Sequence, residues 1–141
     1  NSDDIDWIVN YHASNSNGLT LCSGSLGAGD ANDVIAIAKR FSKNIFFAHL
    51  RNVVKDSDGS FQEGAHLGGD TNMPSLIKVI LDEENRRRVA GIDGCEIPFR
   101  PDHGHELLWD KQRQTHPGYP LIGRLRGLAE LRGVIHALSI D

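Results

Sequence analysis

The feature that most constrains this chain is one nearly unbroken apolar run, Ile45-Phe46-Phe47-Ala48-His49-Leu50. A strand with one wet face alternates apolar and polar residues. This run does not alternate, so it reads as a strand covered on both faces, the pattern of parallel sheets. Parallel strands need crossover connections, and helical stretches flank the run on both sides. Leu19-Thr20-Leu21-Cys22 reads as a strand before it, and Cys95 to Phe99 as a third strand after it. Between the first two, Asp30 or Asn32 can cap a helix running to about Lys43, with Val34, Ile35, Ile37, Ala38 and Phe41 on its apolar side. Pro74 suits the first turn of a second helix, Ser75 to Arg88, which carries Leu76, Ile77, Ile80 and Leu81 at helical spacing. A last helix spans about Leu121 to Leu138, with Leu121, Leu125, Leu128, Leu131 and Ile135 as its stripe, and Asp4 to Tyr11 reads as the end of another. Ser23 to Gly29 reads as a small-residue loop, and Arg51 to about Thr71 as a long polar one. The order strand, helix, strand, helix, strand, helix predicts an α/β fold with a parallel sheet and outer helices. In such folds the site forms at the C-terminal ends of the strands.

Composition narrows the partners. The chain has 141 residues, of which 39% are hydrophobic and 24% charged, which fits one globular domain and not a disordered or fibrous chain. No apolar run approaches the roughly 20 residues of a membrane span. The net charge of −4 argues against nucleic acid, since phosphate binding needs a basic face. The one basic run, Arg86-Arg87-Arg88, reads as a solvated helix end. Cys22 and Cys95 are too few for a disulfide framework, so a reduced, cytoplasmic setting is expected. Asn1-Ser2-Asp3-Asp4 is acidic and is no signal peptide; without an initiator Met, the chain is expected to begin inside a longer gene product.

Seven histidines are many for this length and are the first sign of chemistry. Cys22 closes the first strand, His49 nearly closes the second, and Asp102 follows the third. A thiolate, an imidazole and a carboxylate can together hold a divalent transition ion. Their separations of 27 and 53 residues carry no signature, but their shared place at strand ends does. The competing reading is a buried cysteine, a core histidine and a capping aspartate. His103 beside Asp102 is a candidate general acid or base, with a solvated loop as the alternative. His105 reads as a structural or supporting residue. Arg51 can pair bidentately with a substrate carboxylate or make an internal salt bridge. Glu63 and His66 can be ligands, a lid or a local hydrogen-bonded pair. Tyr119, held between prolines, can point its hydroxyl into a site or simply pack. Gly24 to Gly29 is no phosphate loop, because it lacks the Lys-Ser/Thr ending.

Four segments in order carry a resemblance. Asn17-Gly18-Leu19-Thr20-Leu21-Cys22-Ser23-Gly24-Ser25, Phe47-Ala48-His49-Leu50-Arg51-Asn52, Arg100-Pro101-Asp102-His103-Gly104 and Pro117-Gly118-Tyr119-Pro120 with Gly123-Arg124 are similar to segments of mannonate dehydratases. The resemblance covers nearly the whole chain. It implies a (β/α)8 barrel, of which residues 1–141 would be one partial domain from the C-terminal part. It implies dehydration of D-mannonate to 2-keto-3-deoxy-D-gluconate in hexuronate breakdown. It implies a divalent metal, usually manganese with iron or cobalt as alternatives, bound by Cys, two His and Asp. By motif, Cys22, His49 and Asp102 resemble three of those ligands, His103 the catalytic acid/base, and Tyr119 a tyrosine that assists. The fourth ligand, a His in a His-Pro-Asp-Asp-Pro segment, has no counterpart here, and His12 lacks that context. A whole barrel needs about 250 residues, so this chain holds at most about four and a half βα units. Open sheet edges predict an oligomer, or pairing with the missing N-terminal part. Two alternatives remain: a related metal-dependent sugar isomerase or epimerase, and an inactive piece or subunit.

Overall fold

In the computed structural model, residues 1–140 are described, so the last residue of the expected domain, Asp141, lies outside it. Three parallel strands form the central sheet, in the order β1, β2, β5: Leu19–Cys22 (β1), Ile45–His49 (β2) and Phe99–Arg100 (β5). Around them lie Ser2–Tyr11 (α1), Ser23–Gly27 (α2), Val34–Arg40 (α3), Met73–Val89 (α4) and Leu121–Leu138 (α5). The expected parallel α/β arrangement is therefore present. The sheet is open, and no barrel closes among the described residues.

The core forms where the sheet meets the helices. Leu21, Ile45, Ala48 and Leu50 pack with Val34, Ile37, Ala38 and Phe41 around α3, with Met73, Leu76, Ile77 and Ile80 of α4, and with Leu131 of α5. Each fully buried aliphatic side chain of this kind contributes roughly 1.5–3 kcal/mol. Pro74 sits at the start of α4, where its missing N–H is harmless, and Asn72 caps it by accepting from the Ser75 N–H at 3.0 Å.

Several local expectations are corrected. The small-residue segment after β1 coils into α2, because the Cys22 side chain caps it. The cap of α3 is Asp33, accepting from Ala36 N–H at 2.9 Å, and the helix gives way to a 3₁₀ turn at Ser42–Asn44 before β2. The long polar loop contains an antiparallel hairpin, Val53–Lys55 (β3) with Phe61–Glu63 (β4), turned by Gly59 at φ +85°. The third strand is only two residues long, and Cys95 to Pro98 lie outside it. On α5 the expected stripe is only partly used: Leu131 is buried, whereas Leu121 and Leu125 are exposed. The basic run is not simply solvated either, since Arg87 is buried against Glu83 and the start of β2.

The segment between β5 and α5 is mostly irregular but is anchored by a buried carboxylate. Asp110, fully buried, accepts from the N–H groups of Ile122 at 3.0 Å and Gly123 at 2.9 Å. Pro120, the residue at the cap position of α5, has no side-chain donor or acceptor, so a distant carboxylate satisfies the orphan N–H groups. This anchor fixes the approach of Tyr119 to the strand ends. No described helix is long and apolar enough to cross a membrane.

Candidate metal centre

Strand register brings the first candidates together. Across β1 and β2, Cys22 pairs with His49, and across β2 and β5, His49 pairs with Arg100. Separations that looked irregular in sequence thus become one row at the C-terminal ends of the strands. Asp102 lies two residues beyond Arg100 in the left-handed region, at φ +63°, which among non-glycine residues Asn and Asp adopt most readily. There its carboxylate accepts from Arg100 at 2.8 Å and stands 3.8 Å from His49 Nδ1. His66 contributes to the constraint: its buried ring bonds the Pro101 carbonyl at 2.8 Å, directly before Asp102.

One ligand atom from each of Cys22, His49 and Asp102 lies within 4.8 Å of the other two. Donors bound to one ion at about 2.1 Å stand roughly 3–4.3 Å apart, so a small contraction suffices. Chemistry agrees with geometry. Cys22 Sγ accepts from Ser25 Oγ at 3.1 Å and from Ser25 N–H at 3.5 Å. Burial is the largest influence on His49 and lowers its pKa, with Arg100 and His103 acting in the same sense and Asp102 against it. The balance favours the neutral imidazole, which is the form that offers a lone pair to a metal. The residues present therefore fit a divalent ion with a soft and a hard donor.

A second group adjoins the first. His103 Nδ1 lies 2.9 Å from Glu63 Oε1, and its Nε2 lies 3.1 Å from the Tyr119 hydroxyl and 4.0 Å from Asp102 Oδ2. The His103 and Tyr119 rings meet edge to face at 4.8 Å. Gly118, at φ +81°, lets the chain pass this close, since a Cβ there would stand 3.0 Å from His103 Nδ1. Arg51 gives Nε to Glu63 at 2.8 and 3.1 Å, and Nη2 as well, so of its two sequence readings the internal salt bridge is formed. The stem of Arg51 lies over Gly24, where a Cβ would come within 2.4 Å of Arg51 Cδ. Burial would raise the pKa of Glu63, but the hydrogen bonds from Arg51 and His103 outweigh it and hold the carboxylate below its ordinary value. For Arg51, the Glu63 bond is the main cause of a raised pKa, with smaller contributions from the charges of Cys22 and Asp102.

The structure thus gathers Cys22, His49, Asp102, His103, Tyr119 and Arg51 at one end of the sheet. His105 stands aside, with Nε2 at 2.9 Å from the Glu63 carbonyl, and His66 is a buried support. Sequence reasoning undervalued three residues. Glu63 falls in a stretch that reads as a loop, and only the short runs Val53–Lys55 and Phe61–Glu63 on either side of Gly59 mark it as a hairpin. Arg100 was visible only as part of a motif. Arg124, whose guanidinium lies 5.3 Å from the Tyr119 ring centre, gave no signal of its own.

Fold and site define an α/β protein with a parallel sheet and a candidate metal centre at the C-terminal ends of its strands. The family model described as D-mannonate dehydratase (UxuA) matches residues 1–141, and the chain belongs to that family. It is 52% identical over 141 residues to a mannonate dehydratase of Saccharophagus degradans, covering 99% of this chain and 35% of that protein. Against a mannonate dehydratase of Rhizobium meliloti it is 51% identical over 142 residues, with 99% and 35% covered. The crystal structure of mannonate dehydratase from Streptococcus suis serotype 2 superposes with a TM-score of 0.81 at 31% identity, over 97% of this chain and 37% of that one. The chain therefore spans about a third of the length of the curated relatives it matches.

Proposed function

We propose that this chain supplies the metal-binding and proton-transfer side of a D-mannonate dehydratase site. The observation that carries this reading is the convergence of Cys22, His49 and Asp102 within 4.8 Å, beside His103. Family membership selects the dehydratase over a related isomerase or epimerase.

Cys22, His49 and Asp102 would hold the divalent ion, with manganese favoured and iron or cobalt as alternatives. Bound there, such an ion acts as a Lewis acid, offsetting the negative charge that develops next to the substrate carboxylate. The reaction removes a proton from carbon 2 and hydroxide from carbon 3, and the resulting enol settles to the 2-keto acid. His103 is the residue that moves the proton, through Nε2, the ring nitrogen on the side of Asp102 and Tyr119. Tyr119 holds that nitrogen and can pass a proton to the departing oxygen. Arg51 places positive charge beside the site, and its Nη1 edge, not engaged by Glu63, is available to a sugar-acid carboxylate.

The open edges of β1 and β5 also support association, either with a second copy or with the further length that the relatives possess. Light scattering of the purified chain, alone and with a separately produced N-terminal part of a relative, reads this directly. The function itself is tested by supplying the chain with Mn²⁺ and D-mannonate, then measuring bound metal and 2-keto-3-deoxy-D-gluconate. Bound metal with turnover is expected. Metal without turnover places the dehydration in the longer protein while keeping the centre. Neither metal nor turnover overturns the reading.

A further inference from the structure

The hairpin absent from the sequence reading returns the chain to the site at a fixed point. Asn52, almost fully buried, donates through Nδ2 to the carbonyls of His66 and Thr71, both at 2.9 Å, and accepts from the N–H groups of Val53 and Thr71. Gly64 N–H bonds the Asn52 carbonyl at 2.9 Å, and Val53 pairs with Glu63 across the hairpin. His105 grips the Glu63 carbonyl at 2.9 Å, and Arg51 grips its carboxylate. Backbone and side chain of Glu63 are therefore both held, which is more than a surface ion pair requires.

An ionised carboxylate only accepts hydrogen bonds. Glu63 Oε1 at 2.9 Å from His103 Nδ1 therefore calls for a proton on Nδ1. In the neutral ring the lone pair then sits on Nε2, and the Tyr119 hydroxyl at 3.1 Å is the donor that completes it. We propose that Glu63 is a positioning residue: it fixes His103 in the Nδ1–H tautomer, so that Nε2 presents the lone pair that accepts the substrate proton. Arg51, on this account, acts partly through Glu63, by keeping the carboxylate turned toward the ring. The catalytic half of this inference rests on the reading of His103 as the proton carrier; the tautomer itself does not.

The test uses the chain as it is. With ¹⁵N-labelled histidine, long-range ¹H–¹⁵N NMR at about pH 8 distinguishes a protonated from an unprotonated ring nitrogen. His103 is expected to show Nδ1 protonated and Nε2 bare. Glu63→Ala should move the proton onto Nε2 or give a mixture, whereas Glu63→Gln, which keeps an acceptor oxygen, should retain the Nδ1–H form. Glu63→Met, of similar length and without an acceptor, replaces the alanine variant if that one fails to fold. A wild-type ring protonated on Nε2, or a tautomer unmoved in both acceptor-free variants, overturns the proposal. Where the metal-loaded protein turns over D-mannonate, kcat should fall about 10–100-fold in Glu63→Ala with KM changed far less, and recover in part in Glu63→Gln. A wild-type protein with neither bound metal nor turnover counts against the dehydratase reading alone, because the NMR result decides Glu63 separately.

Discussion

Strand β2 runs between two polar clusters, and they differ in how their members meet. At its start, Glu83 accepts from Arg86 Nε at 2.8 Å and Nη2 at 2.7 Å, and from Arg87 Nε at 2.8 Å, while Arg87 Nη2 donates to the Ile45 carbonyl at 2.9 Å. Donors and acceptors match, and the cluster ties α4 to the sheet. At the other end of β2, Cys22, His49 and Asp102 bring one possible ligand atom each within 4.8 Å of the other two, and His49 Nδ1 stops 3.8 Å from Asp102, too far for a hydrogen bond. Buried charge by itself says little about function, since structural ion pairs perturb pKa values too. Possible ligand atoms that converge without bonding one another are what separate the site from the brace.

This contrast can be broken from either end. The largest effect belongs to the site: His103→Ala should lower turnover of the metal-loaded protein about 10²–10⁴-fold while metal content stays constant. Surviving activity would remove His103 from its role. Next comes the brace. Glu83→Ala strands the buried Arg87 guanidinium and should destabilise the fold by about 3–5 kcal/mol in urea unfolding, with metal affinity of the folded protein unchanged. A loss of metal binding there would show that the two ends are not independent.

The brace also carries a pH signature. Arg86, first, and Arg87 hold Glu83 down from 4.5 to about 2. Because the folded-state value is depressed, the contribution is fully present above the unfolded value of 4.5 and is lost as pH falls from there toward 2. Its size is on the order of 3 kcal/mol. Unfolding curves of the wild type and Glu83→Gln should therefore differ most near neutral pH and converge on acidification; a constant gap would contradict this. The smallest effect is expected for Arg86→Ala, whose half-exposed guanidinium is worth up to about 1 kcal/mol.

The two ends were not equally legible in the sequence. At the site, Cys22, His49 and Asp102 can be found because the first two close recognisable strands and the third follows one, and a parallel register aligns strand ends whatever lies between them. The brace was misread, since Arg86-Arg87-Arg88 looks solvated until Glu83 is placed one turn earlier on the same helix face. Glu63 is visible in the sequence only as a loop candidate beside His66, and its place against Arg51 and His103 is hidden for a different reason. A hairpin with strands of three residues leaves almost no periodicity, and its position depends on Asn52 and Gly69, where a Cβ would come within 2.4 Å of the Asn52 side chain. The third strand was overestimated because Ile97 is buried by helix packing, outside the strand pairing. On α5, Leu121 and Leu125 follow helical spacing but meet no described partner surface, so periodicity alone overstated the buried stripe.

The central claim is that Cys22, His49 and Asp102 form one metal centre. Cobalt(II) titration of the purified chain tests it most directly, read by the sulfur-to-metal absorption that only a bound thiolate gives. The account predicts that this absorption saturates at one ion per chain, disappears in Cys22→Ser, and weakens in His49→Ala and Asp102→Asn with affinity down more than about 100-fold. Absent sulfur absorption in the wild type, or equal cobalt binding by Cys22→Ser, would contradict it.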